Sequence, residues 1–217
     1  MTDPADSATA ATLAERTLAH YERNAQSFWE GTSDHDVSQN RDALIAALAP
    51  APGTRLRLLD FGCGPGRDLA AFRALGHEAV GLDGCARFCA MARDHSGCEV
   101  WQQDFLALDL PSGHFDGVFA NASLFHVPGE ALDVVLRALH DTLRPGGVLL
   151  ASNPRGDNQE GFSGQRWGAF WNFETWCQRV EATGLVPLDH YYRPPGRPRA
   201  EQPWLVTLWQ RPAKSAA

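Results

Sequence analysis

LLDFGCGPGRDLAAF, Leu58 to Phe72, decides how the chain is read. An apolar run meets three glycines within five residues (Gly62, Gly64 and Gly66), and Leu69 and Phe72 then fall at helical spacing. A strand, a turn with bare backbone and a helix start, in that order, make the first unit of an alternating α/β domain. Glycine admits positive φ and lets another group lie against the main chain. The pattern is G-x-G-x-G followed by Arg67, which departs from the G-x-G-x-x-G of dinucleotide-binding turns.

Working outward, the alternation continues. EAVGLD, CEVWQQD, HFDGVFAN and VLLASN read as strands, and ARFCAMARDH as a helix. Leu132, Val135, Leu136, Leu139 and Leu143 stripe one face of another helix, which RPGG stops. A helix over about Phe173–Thr183 precedes LVPLDHYYR and PWLVTLWQR, two closing strands joined by a Pro-rich loop. Upstream, residues 1–12 are small and polar and are expected to be disordered. Residues 13–50 read as a helical cap, with helices over about Leu13–Phe28 and Val37–Leu48 around a polar break. Residues 153–172 read as a polar and aromatic insert on the substrate side. Residues 13–217 are thus expected to form one α/β domain with a largely parallel sheet covered on both faces.

Composition narrows the function. The chain has 217 residues, 44% of them hydrophobic, enough for one sizeable core. A net charge of -7 and the lack of a Lys/Arg run leave no electrostatic footprint for nucleic acid. No apolar run reaches the roughly 18 residues of a membrane span. MTDPADSATAATLAERT lacks the cationic and apolar regions of a secretory signal, so a cytoplasmic location without a membrane partner is expected. Cys85 and Cys89 are paired on a helix with no second pair to match, so the five cysteines read as reduced core thiols and no metal site is expected.

In such sheets ligands bind beyond the carboxyl ends of the strands, where the strand order reverses. Asp83 closes the second strand, where a carboxylate accepts from the two hydroxyls of a ribose. Asp104 closes the third, placed to accept from an adenine amine beside the N–H and apolar face of Phe105. Singly, each acid also reads as a helix cap or a solvated turn. At successive strand ends behind a glycine turn, they read together as a nucleoside site.

LLDFGCGPGRD, VGLD, QQDF, FDGVFANASLFHV and LRPGGVLL resemble the successive motifs of class I S-adenosylmethionine-dependent methyltransferases, from about Leu56 to the C-terminus. The resemblance implies a Rossmann-like seven-stranded sheet with its last strand antiparallel and helices on both faces. It implies S-adenosyl-L-methionine as methyl donor and S-adenosyl-L-homocysteine as product. It places Asp60 on the methionyl part, directly or through water, with Gly62, Cys63, Gly64, Gly66, Gly84 and Asn121 around the cofactor. Tyr21 on the first helix either reaches the cofactor carboxylate or simply packs.

FWEGTSDHDVSQN, NPRGDNQEGFSGQRWG and HYYRPPGRPRAEQPWL further resemble the C-terminal methyltransferase domain of ovothiol synthases. That family methylates an imidazole nitrogen of 5-thiohistidine. Fused members carry an iron-dependent sulfoxide synthase ahead of this domain. These 217 residues hold none, so either a separate sulfoxide synthase supplies the substrate or the chain acts on another small molecule, such as a quinone precursor or a thiol. A non-catalytic S-adenosylmethionine binder would share the same cofactor residues.

An imidazole nitrogen carries its own lone pair, so transfer to it calls for orientation more than for a base. Arg155 or Arg166 is expected to fork the substrate carboxylate. Asn121, Asn153 and Asn158 are candidates for the ring or amino group, and His126, with Asn121, for the catalytic contact to nucleophile or thiolate. Trp29, Phe125 and Trp167 are candidate walls, and His35 a further substrate contact. The plainer alternatives are a satisfied loop histidine at His126, solvated arginines, core tryptophans, and SDHD as the cap of the second helix.

Overall fold

The computed structural model describes residues 9–213. The chain runs α1 (Ala10–Thr32), α2 (Ser38–Leu48), β1 (Arg57–Phe61), α3 (Arg67–Ala74), β2 (Glu78–Asp83), α4 (Ala86–Ser96), β3 (Glu99–Gln102) and β4 (Phe115–Asn121). It continues through α5 (Gly129–Thr142), β5 (Leu143–Pro154), β6 (Gln159–Ser163), β7 (Arg166–Phe170), α6 (Phe173–Glu181), β8 (Val186–Arg193) and β9 (Trp204–Gln210). Seven strands form one sheet in the order β3-β2-β1-β4-β5-β9-β8. Every pairing among β1 to β5 is parallel, and β9 runs antiparallel to both β5 and β8. The Rossmann-like sheet with an antiparallel last strand is therefore the one formed.

Alternation along the central strands builds the two layers. Leu58, Phe119, Val148 and Leu150 pack with Leu44 of α2, Leu69 and Phe72 of α3, and Cys89 and Ala92 of α4. Leu59, Phe61, Val118 and Leu149 point the other way, against the expected leucine stripe of α5 and Trp176 and Val180 of α6. Each fully buried Leu or Phe contributes about 1.5–3 kcal/mol. The strand order reverses between β1 and β4, because β1 pairs with β2 on one side and β4 on the other. That crevice is where the glycine turn emerges. Among the described residues no helix is long and apolar enough to cross a membrane.

Three expectations need correction. Disorder through residue 12 fails at residues 10–12, which are already helical: α1 starts at Ala10, and the Thr9 side chain caps it by accepting from Thr12 N–H. The rest of that expectation, residues 1–8, lies outside the described residues. The insert is not a loop but a paired hairpin, β6 with β7, running from Gln159↔Phe170 to Ser163↔Arg166. Its strands are only five residues long and each is interrupted by a glycine, Gly161 and Gly168, so their period of two was hidden. RPGG does not separate α5 from the fifth strand, since β5 starts at Leu143 and absorbs it as a bulge, the pairing stepping from Phe115↔Leu143 to Gly117↔Val148.

Helix α1 is kinked at Asn24 (φ -114), whose side-chain amide donates to the His20 carbonyl at 2.7 Å. Tyr21 and Phe28 stand on either side of the kink and pack on Phe88 of α4. The bend wraps α1 over the carboxyl end of the sheet.

Candidate active site

Two cavities meet at the strand ends. The smaller, about 90 Å³, is lined by Gly62, Gly64, Asp83, Gly84, Asp104, Phe105, Ser123 and His126, with Leu18 and Tyr21 closing it from α1. The larger, about 530 Å³, is lined by Asp60, Gly62, Cys63, Gly64, Asn121 and Phe125, by Trp29 and His35 of the cap, and by Arg166 and Arg193. Tyr21, Phe28, Gly62, Gly64 and Ala122 line both, so the cavities are continuous at that point.

The glycine turn is built for packing as well as access. Gly62 has φ +77, and a Cβ there would lie 2.3 Å from Ser123 Cβ. Gly66 has φ +92, and a Cβ would lie 2.8 Å from Ala92 Cα on α4. Gly66 lines neither cavity; it lets α3 approach α4, which removes it from the expected cofactor contacts. Cys63 reaches the larger cavity, yet its sulfur lies against Gly81 on the helix-covered side, and burial pushes its thiol well above the usual range. Its thiol is therefore not a nucleophile.

The carboxylates divide the work. Asp83 Oδ2 accepts from Gly64 N–H at 3.0 Å and Oδ1 from Cys85 N–H at 2.9 Å, tying the glycine turn to the start of α4. Burial raises its pKa to about 6, and those N–H groups hold it from rising further. Asp60 is buried with Oδ2 unpartnered, and burial followed by the nearby Asp68 charge pushes it well above the usual carboxylate range. Asp68 itself is held by Arg41 (2.5 Å) and Arg67 (2.7 Å). Asp104 lines the smaller cavity and spans its own turn, Oδ1 accepting from Leu106 N–H at 2.9 Å. Phe105 stacks on Phe61 at 4.3 Å between ring centroids.

His126 is not free to act as a base. Its Nδ1 lies 2.6 Å from the Trp167 carbonyl and its Nε2 2.9 Å from the Tyr21 hydroxyl. Burial lowers its pKa to about 4, so it is neutral at pH 7. The expected catalytic contact through His126 is corrected to a satisfied buried imidazole. Tyr21 donates its proton to His126, so it has none for a cofactor carboxylate; withdrawing it would strand a buried acceptor at a cost of about 1–3 kcal/mol. Burial raises the Tyr21 pKa, and the neighbouring Arg166 guanidinium opposes that rise.

Asn121 is also held. Tyr191 of β8 donates to Asn40 Oδ1 at 2.8 Å, and Asn40 Nδ2 donates to Asn121 Oδ1 at 2.8 Å. That leaves the Asn121 amide as a donor at the larger cavity.

Four expected substrate contacts stand elsewhere. Arg155 donates to the Arg199 and Gln202 carbonyls at 3.0 and 2.7 Å, bracing the C-terminal loop. Asn158 sits at φ 65 and accepts from Asn172 N–H at 3.0 Å, closing the hairpin base. Asn153 is buried in β5 opposite Leu205. Trp167 is buried with its ring on Phe162. None of the four lines either cavity. Trp29, His35, Phe125 and Arg166 do reach the larger cavity, Trp29 with its ring on His95 of α4.

Sequence reasoning missed Arg193, Pro194, Trp204 and Ser152, all of which line the larger cavity. Arg193 donates to the Asp36 carbonyl at 2.7 Å, joining the C-terminal stretch to the cap. The one signal was the unusual composition of HYYRPPGRPRAEQPWL, from which no site residue was drawn.

Residues 59–151 match the sequence model of a family described as a methyltransferase domain. The malonyl-[acyl-carrier protein] O-methyltransferase of Enterobacter lignolyticus is 34% identical over 150 residues, 67% of this chain and 53% of that protein. The ubiquinone biosynthesis O-methyltransferase of Cereibacter sphaeroides is 34% identical over 128 residues, 57% of this chain and 51% of that protein. The chain thus spans about half the length of these curated relatives. Among solved structures, the 1,6-didemethyltoxoflavin-N1-methyltransferase of Burkholderia thailandensis, crystallised with 1,6-didemethyltoxoflavin and S-adenosylhomocysteine, superposes with a TM-score of 0.79. It is 22% identical and covers 98% of this chain and 93% of that one, a likeness of fold.

Proposed function

Taking as premise that the chain is of the class I S-adenosylmethionine-dependent methyltransferase type, in fold and in its methyltransferase-domain match, we propose that it methylates a ring nitrogen of 5-thiohistidine. The observation that carries a transfer reaction is the continuity of the two cavities at Tyr21, Phe28, Gly62 and Gly64. The buried polar atoms fit the cofactor. Asp83 and Asp104 face the smaller cavity for ribose and adenine, where the Ser123 hydroxyl is also unpartnered. Asp60, with its unpartnered Oδ2, faces the larger one for the methionyl ammonium.

When bound, S-adenosylmethionine supplies an electrophilic methyl with a neutral leaving thioether. The residues of this chain do the rest by orientation and by excluding water, which supply about 7–11 kcal/mol in well-oriented reactions. Tyr21 and Phe28 wall the junction, Asn121 donates into the larger cavity, and Arg166 holds the acceptor's carboxylate with Arg193 beside it. His126, neutral and satisfied, is not the base, and an acceptor atom that already bears a lone pair needs none. The substrate would come from a sulfoxide synthase.

The names of two curated relatives, a malonyl-[acyl-carrier protein] O-methyltransferase and a trans-aconitate 2-methyltransferase, favour a second reading, transfer to a carboxylate oxygen, which also needs no base. Arg166 and Arg193 would then hold the other carboxylate of a polyacid. One experiment separates the readings. Purified chain and S-adenosylmethionine are offered 5-thiohistidine, histidine and trans-aconitate, with products identified by mass spectrometry. N-methylated thiohistidine, with little product from histidine, is expected. Methyl ester from trans-aconitate alone moves the assignment to oxygen, and cofactor binding without any product leaves a non-catalytic binder.

A further inference from the structure

His126, Tyr21 and Arg166 belong to three separate elements: the turn after β4, α1 and β7. The contacts of His126 and Tyr21 have a fixed direction. A carbonyl oxygen only accepts, so His126 Nδ1, at 2.6 Å from the Trp167 carbonyl, carries the ring proton. Nε2 is then the acceptor, and the Tyr21 hydroxyl at 2.9 Å is the donor. Tyr21 keeps lone pairs and has no proton left to offer, on the wall that both cavities share. Arg166 lines the larger cavity, as Tyr21 does, and enters none of the ion pairs among the described residues.

We propose that the Trp167 carbonyl, His126 and Tyr21 form a one-directional hydrogen-bond chain that holds the Arg166 guanidinium against the larger cavity. Tyr21 and His126 are positioning residues, and Arg166 is the group they position. The proposal rests on reading the larger cavity as the acceptor pocket, and Arg166 as the carboxylate anchor, only for its consequence in turnover.

The geometry closes on itself. Arg166 and Trp167 are neighbours on β7, so one strand supplies both the carbonyl that starts the chain and the guanidinium that ends it. The same residue is tied to α1, because Trp167 N–H donates to Thr17 Oγ1 at 2.9 Å and Thr17 donates to the Leu13 carbonyl at 3.0 Å. The helix that carries Tyr21 is therefore registered against the strand that carries Arg166. A tyrosine with a free proton would compete with the guanidinium for an anion. One whose proton is engaged presents only its lone pairs to the guanidinium. The other arginines nearby have partners: Arg67 holds Asp68 and the Thr32 carbonyl, and Arg193 the Asp36 carbonyl.

The test reads hydrogen positions directly. Nitrogen-15 NMR on the intact chain should show His126 as the Nδ1–H tautomer, unchanged from pH 6 to 8. Its Arg166 guanidinium signals should be resolved in wild type and averaged by free rotation in Tyr21→Phe. An Nε2–H tautomer, or an Arg166 equally restrained in Tyr21→Phe, overturns the chain. Turnover gives a second readout with 5-thiohistidine as the probe. Tyr21→Phe should raise its KM about tenfold, with S-adenosylmethionine affinity within about twofold, and Arg166→Lys should recover part of what Arg166→Ala loses. A KM unchanged in both Tyr21→Phe and Arg166→Ala contradicts the positioning role. Absence of turnover in wild type retires the thiohistidine reading alone, because the NMR result decides the chain by itself.

Discussion

The two halves of the site are made in opposite ways. The smaller cavity, apart from the α1 residues that close it, is built from strand ends and the turns that leave them: Gly62, Asp83 and Asp104 each sit where a short motif puts them. The larger draws its walls from residue 21 near one end of the chain to residue 204 near the other. The first half is local and the second is long-range. The contrast teaches that a motif reports on the half of a site whose geometry it contains.

The strongest challenge to that comparison is Gly66→Ala. The residue belongs to the glycine motif but works as a packing contact. Positive φ costs about 1–3 kcal/mol for a non-glycine residue, and overpacking against Ala92 adds about as much. Urea melts should show a loss of about 2–5 kcal/mol. A stable variant that fails only in cofactor binding would return Gly66 to the ligand.

Next in size is a pair of opposed pH effects. The folded-state pKa of His126 is depressed to about 4, so its contribution is fully present above 6.5 and is lost as pH falls through 4. The folded-state pKa of Asp83 is raised to about 6, so its ionised form disfavours folding above 6, and acidification relieves it. Each corresponds to about 3 kcal/mol at one pKa unit per 1.36 kcal/mol. Stability curves between pH 7 and 4 should therefore fall less in His126→Gln than in wild type, and more in Asp83→Asn. Parallel curves for all three proteins would refute the assigned burial effects.

Asp83→Ala sharpens the local half. It removes the ribose acceptor and frees the Gly64 and Cys85 N–H groups. A hydrogen bond to a charged group is worth about 1.5–3 kcal/mol, so S-adenosylmethionine affinity by calorimetry should fall tenfold or more. Wild-type affinity would remove Asp83 from the ribose.

The smallest expected effect tests the long-range half. Arg155 lies in the same insert as Arg166 but braces the C-terminal loop outside both cavities. Arg155→Ala should leave the acceptor KM within about twofold, the range of a substitution away from the site. A tenfold rise would mean that the loop it braces, which carries Trp204, shapes the pocket.

Much of the molecule was legible in the residues. The alternation of strands and helices, the leucine stripe of α5 and the antiparallel closing strands all follow from periodicity, or from a resemblance carried by contiguous motifs. The same is true of Asp83 and Asp104, since a residue at a strand end is placed by its strand. The hairpin β6–β7 was not legible, because its period of two runs through two five-residue strands, each broken by a glycine. Among the asparagines and arginines, sequence separated none of the engaged ones from the free ones. Asn158 and Arg155 turned to their own neighbours, while Arg193, unremarked, reached the cavity.

By itself, then, the sequence determined the doubly covered sheet, the crevice at the carboxyl ends of β1 and β4, and the acids that face it, because these depend on backbone period and turn chemistry within a few residues. Only the tertiary structure decided that Gly66 packs on α4, that Tyr21 has no proton to offer, that His126 is neutral, and that Arg166 rather than Arg155 lines the larger cavity. Each of those depends on a partner between twenty-six and more than a hundred residues away, or on burial, and hydrogen-bond direction and desolvation exist only once the partner is in place.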